Sequence, residues 1–330
     1  SAVKALGFTS FDDAYFAAMD KLPLPETKLQ LLTYQTHEEK VYAIKVISSM
    51  LRGGAEPDAL AELIETDYPA LAAYLRENTG ADADVDQYMR WYRKNKIINR
   101  YPGESPIQIG FDRFDPRAML MHKIKSEDCA YFWIDGFGEP LFLYELKARG
   151  ILPESVKIGT AILPTETDLN HQWDEHDPNT TKWDRLDSLS HRGLPDDKSY
   201  FSCIVHQLSV FADAAKKVEG LLEQHEYVVV TGDHGSSRFA ALAFHDKSVV
   251  PVSPPKKATV YSHGRFCELD PQSTDMIAPS GTDKTENAGK TYLVQRGYQN
   301  FSASGNVAGG NTDDHDVVGE SHGGNTTEER

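Results

Sequence analysis

Four segments of this chain set carboxylates and imidazoles where a divalent cation would find them. Asp135 closes the apolar run Cys129-Ala-Tyr-Phe-Trp-Ile-Asp135, just before Gly136. Asp187 and His191 stand four residues apart in Arg185-Leu-Asp-Ser-Leu-Ser-His191, a spacing that shares one face if the segment is helical. Asp233-His234 follow Val228-Val-Val-Thr-Gly232, and His322 precedes Gly323-Gly324, where glycine lets the backbone turn close to an ion. Carboxylate oxygens and imidazole nitrogens are the ligand types that a two-metal hydrolase gathers from several strand ends. Each piece is ordinary alone: Asp-Gly after a strand is commonly a turn, and Asp and His four apart are commonly a surface pair. Asp-His-Gly directly after an apolar strand is more specific, because α/β folds put their sites beyond the carboxyl ends of strands.

The elements that must position these groups divide into two regions. Residues 1–120 read as a helical N-terminal region. Helical apolar spacing recurs from Glu39 to Leu51, again from Asp58 toward Pro69, and from Val85 to Asn99. From 125 to 330 strands and helices alternate. Expected strands cover 129–135, 156–163 and 227–233, and expected helices cover 139–149 and 204–224. Such alternation predicts an α/β fold with a mainly parallel sheet covered by helices on both faces. Residues 269–289 and 302–327, rich in Gly, Asn, Ser, Thr and Asp, read as long surface loops.

Composition narrows the function classes. The net charge of −16 argues against a chain that coats nucleic acid through bulk electrostatics, although an Asp- and His-rich metal site itself adds formal negative charge. No apolar run reaches the roughly 20 residues that span a bilayer. Cys129, Cys203 and Cys267 form neither a metal pair nor a disulfide framework, which favours a reducing, cytoplasmic setting. Ser1-Ala-Val-Lys4 is not a signal peptide, and the missing Met suggests an excised or processed chain.

The order Asp135, Thr167, Asp187 to His191, Asp233-His234, His322 resembles that of the alkaline phosphatase superfamily, and within it the PglZ domain of phage-defence and signalling proteins. Pro164-Thr-Glu-Thr-Asp-Leu-Asn170 is similar to the nucleophile turn of the superfamily's phosphodiesterases, and His322-Gly-Gly-Asn-Thr-Thr-Glu-Glu329 is similar to the PglZ ending. The resemblance covers roughly residues 125 to 330 and implies an alkaline phosphatase-like domain truncated at its C-terminal edge, where relatives would add a further strand. It implies two divalent ions, zinc or alternatively manganese. Asp135, Thr167, Asp233 and His234 would hold the first, and Asp187, His191 and His322 the second. Thr167 would be the nucleophile, passing through a covalent phospho-threonine, with Thr165 as the fallback. The implied substrate is a phosphate ester, in particular a phosphodiester of the nucleotide or nucleic acid class. The implied partners are other phage-defence proteins, with no membrane.

Further groups have no fixed role at this level. Arg192, Arg238 and Arg265 are candidates for phosphate contact or for structural ion pairs. His171, His176, His263 and His315 are spare imidazoles, and Asp314 and Asp316 are competing carboxylates. The stretch 85–100 interleaves Arg90, Arg93, Lys94, Lys96 and Arg100 with Tyr88, Trp91 and Tyr92. It reads either as a polynucleotide contact or as a helix that packs its aromatics and solvates its charges. The alternative to an enzyme is a metal-stabilised scaffold subunit of a defence or signalling assembly.

Overall fold

The computed structural model describes residues 10–124, 128–138, 141–173, 176–191, 199–272, 278–302, 306–307 and 319–330. These form a mixed α/β chain in two compact units. Residues 1–100, 140–154 and 195–215 group as one unit, and residues 101–139, 155–194 and 216–330 as the other.

The first unit is helical: α1 (Asp13–Asp20), α2 (Pro25–Leu31), α3 (His37–Arg52), α4 (Pro57–Ile64), α5 (Pro69–Arg76), α6 (Ala83–Ile98) and α8 (Leu141–Ala148). The helix α11 (Tyr200–Leu222) divides between the two units. Their starts follow local chemistry. Thr36 caps α3 by accepting from the Glu39 N–H at 3.2 Å, and proline opens α2, α4 and α5. Ala43, Ile44 and Ile47 of α3, Leu71 and Tyr74 of α5 and Tyr92 and Ile97 of α6 are all fully buried, so the helical spacing does mark a core.

The basic stretch lies on α6 as far as Ile98, and three of its cations are engaged within the fold. Arg93 is fully buried, donating to the Met89 and Glu77 carbonyls, and Lys96 is buried with its Nζ 5.6 Å from the Tyr92 ring. Arg90 makes a two-pronged pair with Asp58 at 2.7 Å. These three cations brace helices.

The second unit carries the strands. β1 (Cys129–Ile134) is central in a three-stranded parallel sheet of order β2-β1-β3, with β2 (Thr180–Trp183) and β3 (Tyr227–Thr231). The aromatic and β-branched content of these runs suits a pleated surface, and the central β1 is the buried strand. A five-stranded, mostly antiparallel sheet was not expected from the alternating pattern. It contains β4 (Thr259–Tyr261), β5 (Phe266–Glu268), β6 (Thr282–Asn287), β7 (Lys290–Gln295) and β8 (Asn306–Val307), in the order β6-β7-β5-β4-β8.

Two further expectations are corrected. Residues 156–163 do not form a strand: the Ala161 N–H goes to the Arg330 carbonyl at 2.9 Å and the Ile162 N–H to Asn170 Oδ1 at 2.7 Å, so this backbone is satisfied outside a ladder. Nor are 269–289 and 302–327 simply surface loops. The first contains β6, which turns through Ala288-Gly289 into β7, and the second ends in a buried segment holding Ser321, His322 and Thr326.

Candidate metal centre

Asp135 and Asp233 arrive together because β1 and β3 are parallel neighbours, with Trp133 opposite Thr231. Gly232 makes the approach possible: a Cβ there would lie 2.8 Å from Phe137 Cβ and 2.9 Å from its carbonyl oxygen, too close for any other residue. The N–H groups of Gly136 and His234 then donate to Asp233 Oδ1 at 3.3 and 3.0 Å. Asp233 Oδ2 is buried and has no hydrogen-bond partner among the described residues, an arrangement that costs free energy unless a cation is to be held.

Thr167 opens a short helical turn, α9 (Thr167–Asn170), that is stapled by one side chain. The Asn170 amide nitrogen donates to the carbonyls of Ile162, Pro164 and Glu166 at 3.0, 3.1 and 3.0 Å. Leu163 and Leu169 pack on Phe266, Tyr292 and Val294, which fixes the turn to the second sheet. Thr167 Oγ1 lies 3.3 and 3.4 Å from the two Asp135 carboxylate oxygens and 3.1 Å from His234 Nε2. Thr165, the fallback nucleophile, is fully buried: its hydroxyl donates to the Gly324 carbonyl and accepts the Gly323 N–H, both at 2.9 Å. It anchors the segment that carries His322.

Asp187 sits in the first turn of α10 (Arg185–His191). The side chain of His191 and all of Arg192, Asp314, His315 and Asp316 lie outside the described residues. His322 comes from the C-terminal segment, held by a two-stranded bridge in which Ser237 and Ser321 exchange N–H donors at 2.7 and 3.0 Å. Behind it Arg265 and Glu329 form a fully buried two-pronged ion pair at 2.8 and 2.7 Å. Gly324 threads past this pair, since a Cβ there would sit 2.1 Å from Arg265 Nη2.

The two imidazoles share one design. His234 Nδ1 is 3.0 Å from the Gly235 carbonyl and His322 Nδ1 is 3.1 Å from the Thr165 carbonyl. A carbonyl only accepts, so each Nδ1 carries a hydrogen and each ring turns its Nε2 toward the site. That of His234 faces Asp135 Oδ1 at 3.5 Å and Asp233 Oδ2 at 3.6 Å; that of His322 faces Asp187 Oδ1 at 3.6 Å. Two groups of cation-ready atoms result, each within 4.8 Å: Asp135, Asp233 and His234, and Asp187, His234 and His322. Imidazole nitrogens and carboxylate oxygens gathered this closely are the donor types a divalent cation takes, so these residues fit a metal pair.

Titration behaviour agrees with this crowding. Burial and the Asp233 carboxylate push the Asp135 pKa up, whereas burial at Asp233 is outweighed by the charge of His234, which lowers its pKa. Burial alone would lower the His322 pKa, but the carboxylates of Glu166 and Asp187 raise it. Charges that draw a proton there draw a divalent cation by the same force.

The chain matches no family model, no curated protein and no solved structure.

Two contributors escaped the reading of the sequence. Lys182 on β2 places Nζ 3.0 Å from Asp135 Oδ2, and this contact outweighs burial to raise its pKa. Its only signal was the β-prone run Thr180-Thr-Lys-Trp183. Arg117, on α7 (Arg117–Lys123), donates to the Gly232 carbonyl at 2.6 Å and to the Asn170 carbonyl. It thereby ties the β3 end to the Thr167 turn; burial lowers its pKa to about 10. Among the expected phosphate contacts, Arg265 is consumed by Glu329, and Arg238 is buried and donates to the Gly319 carbonyl at 2.6 Å. His263 is buried beside Phe244, and His171 and His176 are exposed.

Proposed function

We propose that the strand-bearing unit is a two-metal phosphoesterase of the alkaline phosphatase type, resembling PglZ domains, with Thr167 as its nucleophile. The observation that carries this reading is the pair of Nε2 atoms on His234 and His322, each ring braced by a backbone carbonyl and facing carboxylates. Asp135, Asp233 and His234 would hold one cation, and Asp187 and His322 the other, with His191 added by the resemblance. When bound, zinc or manganese would supply Lewis-acid stabilisation of the phosphoryl oxygens.

The chain's own part follows from position. The Asp135 carboxylate orients the Thr167 hydroxyl and accepts its hydrogen. Thr167 Oγ1 forms a bond to phosphorus as the bond to the departing oxygen breaks, and that oxygen takes up a proton from solvent. Water then displaces the threonine oxygen from phosphorus, releasing phosphate or a monoester and restoring the hydroxyl. Lys182, beside Asp135, reduces the repulsion that an anionic ester meets there.

The Pro-Thr-Glu-Thr turn favours diesters of the nucleotide class, and three buried free cysteines suit a reducing cytoplasm. No helix among the described residues is long and apolar enough to cross a membrane. The test is hydrolysis of bis-p-nitrophenyl phosphate and p-nitrophenyl phosphate by zinc- or manganese-loaded protein, with Thr167→Ala beside it. Metal-dependent turnover that disappears in Thr167→Ala supports the reading. Metal-loaded protein without turnover favours the scaffold instead.

A further inference from the structure

Tyr131, Trp133 and Asp135 fall on one face of β1 because successive strand residues alternate. On the neighbouring strand Thr180 pairs with Tyr131 and Lys182 with Trp133. Of this face, Tyr131, Trp133 and Thr180 line a cavity of about 390 Å³, together with Met121 of α7 and with Trp173 and Asp177 from the segment after the Thr167 turn. The volume is that of a small-molecule site.

Its surfaces are aromatic with a polar edge. The indoles of Trp133 and Trp173 lie 5.1 Å apart at 55°, and the His171 ring lies 5.3 Å from Trp173, tilted at 54°. Trp173 Nε1 is a buried donor with no hydrogen-bond partner among the described residues. Asp177 and Thr180 add a carboxylate and a hydroxyl to the lining. The cavity also adjoins the metal centre. Lys182 Nζ is 4.8 Å from the Trp173 ring centre and 3.0 Å from Asp135 Oδ2, so one side chain touches both.

Resting on the phosphoesterase reading, we infer that this cavity receives the purine or pyrimidine base of a nucleotide ester whose phosphorus lies at Thr167. A flat heteroaromatic ring offers faces to the indoles and both donors and acceptors at its edge. Lys182 stands at the junction, against the aromatic wall on one side and toward the phosphate on the other.

The experiment is isothermal titration calorimetry of the full chain in chelator with adenosine 5′-monophosphate, cytidine 5′-monophosphate and ribose 5-phosphate. The base-bearing ligands bind about tenfold or more tightly than ribose 5-phosphate. Trp173→Ala removes that preference. So does Met121→Trp, which fills the cavity while keeping its indoles and so guards against misfolding of the first variant. Ribose 5-phosphate binding as tightly as the nucleotides, or Met121→Trp keeping the full preference, overturns the inference. Turnover of bis-p-nitrophenyl phosphate by metal-loaded protein separates the two ideas. Base-selective binding without turnover upholds the cavity and sinks the phosphoesterase, and turnover without base selectivity does the reverse.

Discussion

The imidazoles of His234 and His322 stack 4.1 Å apart at 22°, though they come from a strand end and from the C-terminal segment. Each is pinned at Nδ1 by a backbone carbonyl, so rotating one ring out of the site would break a hydrogen bond and a stacking contact together. Such bracing is how proteins orient imidazoles toward metals, and losing a bracing partner alone typically costs 10- to 100-fold in affinity.

Losing an imidazole itself should cost more. His322→Ala is expected to lower affinity for the second zinc by more than about 100-fold while the first, held by Asp135, Asp233 and His234, is retained. Metal analysis after dialysis should then give about one ion per chain where the parent holds about two. Two ions retained in His322→Ala would remove that residue from the ligand set.

The two threonines of the turn should separate cleanly. Thr167→Ala is expected to fold normally and lose turnover, because its hydroxyl faces Asp135 and His234 rather than the scaffold. Thr165→Val should instead lower stability by about 1–3 kcal/mol, since the Gly323 N–H and Gly324 carbonyl lose their buried partner. Thr165→Ser should restore both stability and activity. Denaturant melts and turnover assays on the same preparations check this, and a fully stable but inactive Thr165→Val beside an active Thr167→Ala would exchange the two roles.

The site was legible where apolar runs end in carboxylates. Cys129–Ile134 and Tyr227–Thr231 are apolar, β-prone runs, the first of them buried, and the chain just beyond them carries Asp135 and Asp233. Polar segments were misread because polarity marks exposure only when a group lacks an internal partner. Thr326, Glu328 and Glu329 look like tail residues, yet all are buried, and Glu329 is matched by Arg265 and by the N–H of Thr326 at 3.0 Å. No local pattern reveals a partner 64 positions away. Lys182 escaped for the same reason: a lysine on a short strand becomes informative only beside Asp135.

That Arg265–Glu329 pair makes a pH prediction. Burial alone would raise the Glu329 pKa, but Arg265 and hydrogen bonds from Thr326 hold it below the ordinary value. A carboxylate lowered on folding contributes stability that is fully present above its unfolded pKa of about 4.3 and is lost as pH falls toward the folded value. Glu329→Ala should cost about 3–5 kcal/mol at neutral pH, because Arg265 is left buried and unpaired. The stability gap between the parent and Glu329→Gln should narrow as pH falls from about 6 to about 3. A gap that is constant across this range in urea melts would mean that Glu329 is not held ionised by its partners.

The basic helix offers a contrast between two arginines three residues apart. Arg90 pairs with Asp58 while partly exposed, so Arg90→Ala should change stability by no more than about 1 kcal/mol. Arg93 is fully buried, with its Cζ 5.9 Å from the Tyr74 ring centre and its donors on the Met89 and Glu77 carbonyls. Arg93→Glu replaces those donors with a buried acid facing carbonyl oxygens and should destabilise the helical unit by more than about 3 kcal/mol. Urea denaturation of both variants measures the difference, with retention on single-stranded DNA as the companion assay. If Arg93→Glu kept parental stability and instead lost retention on DNA, α6 would be a nucleic-acid contact after all and the buried role assigned to Arg93 would be wrong.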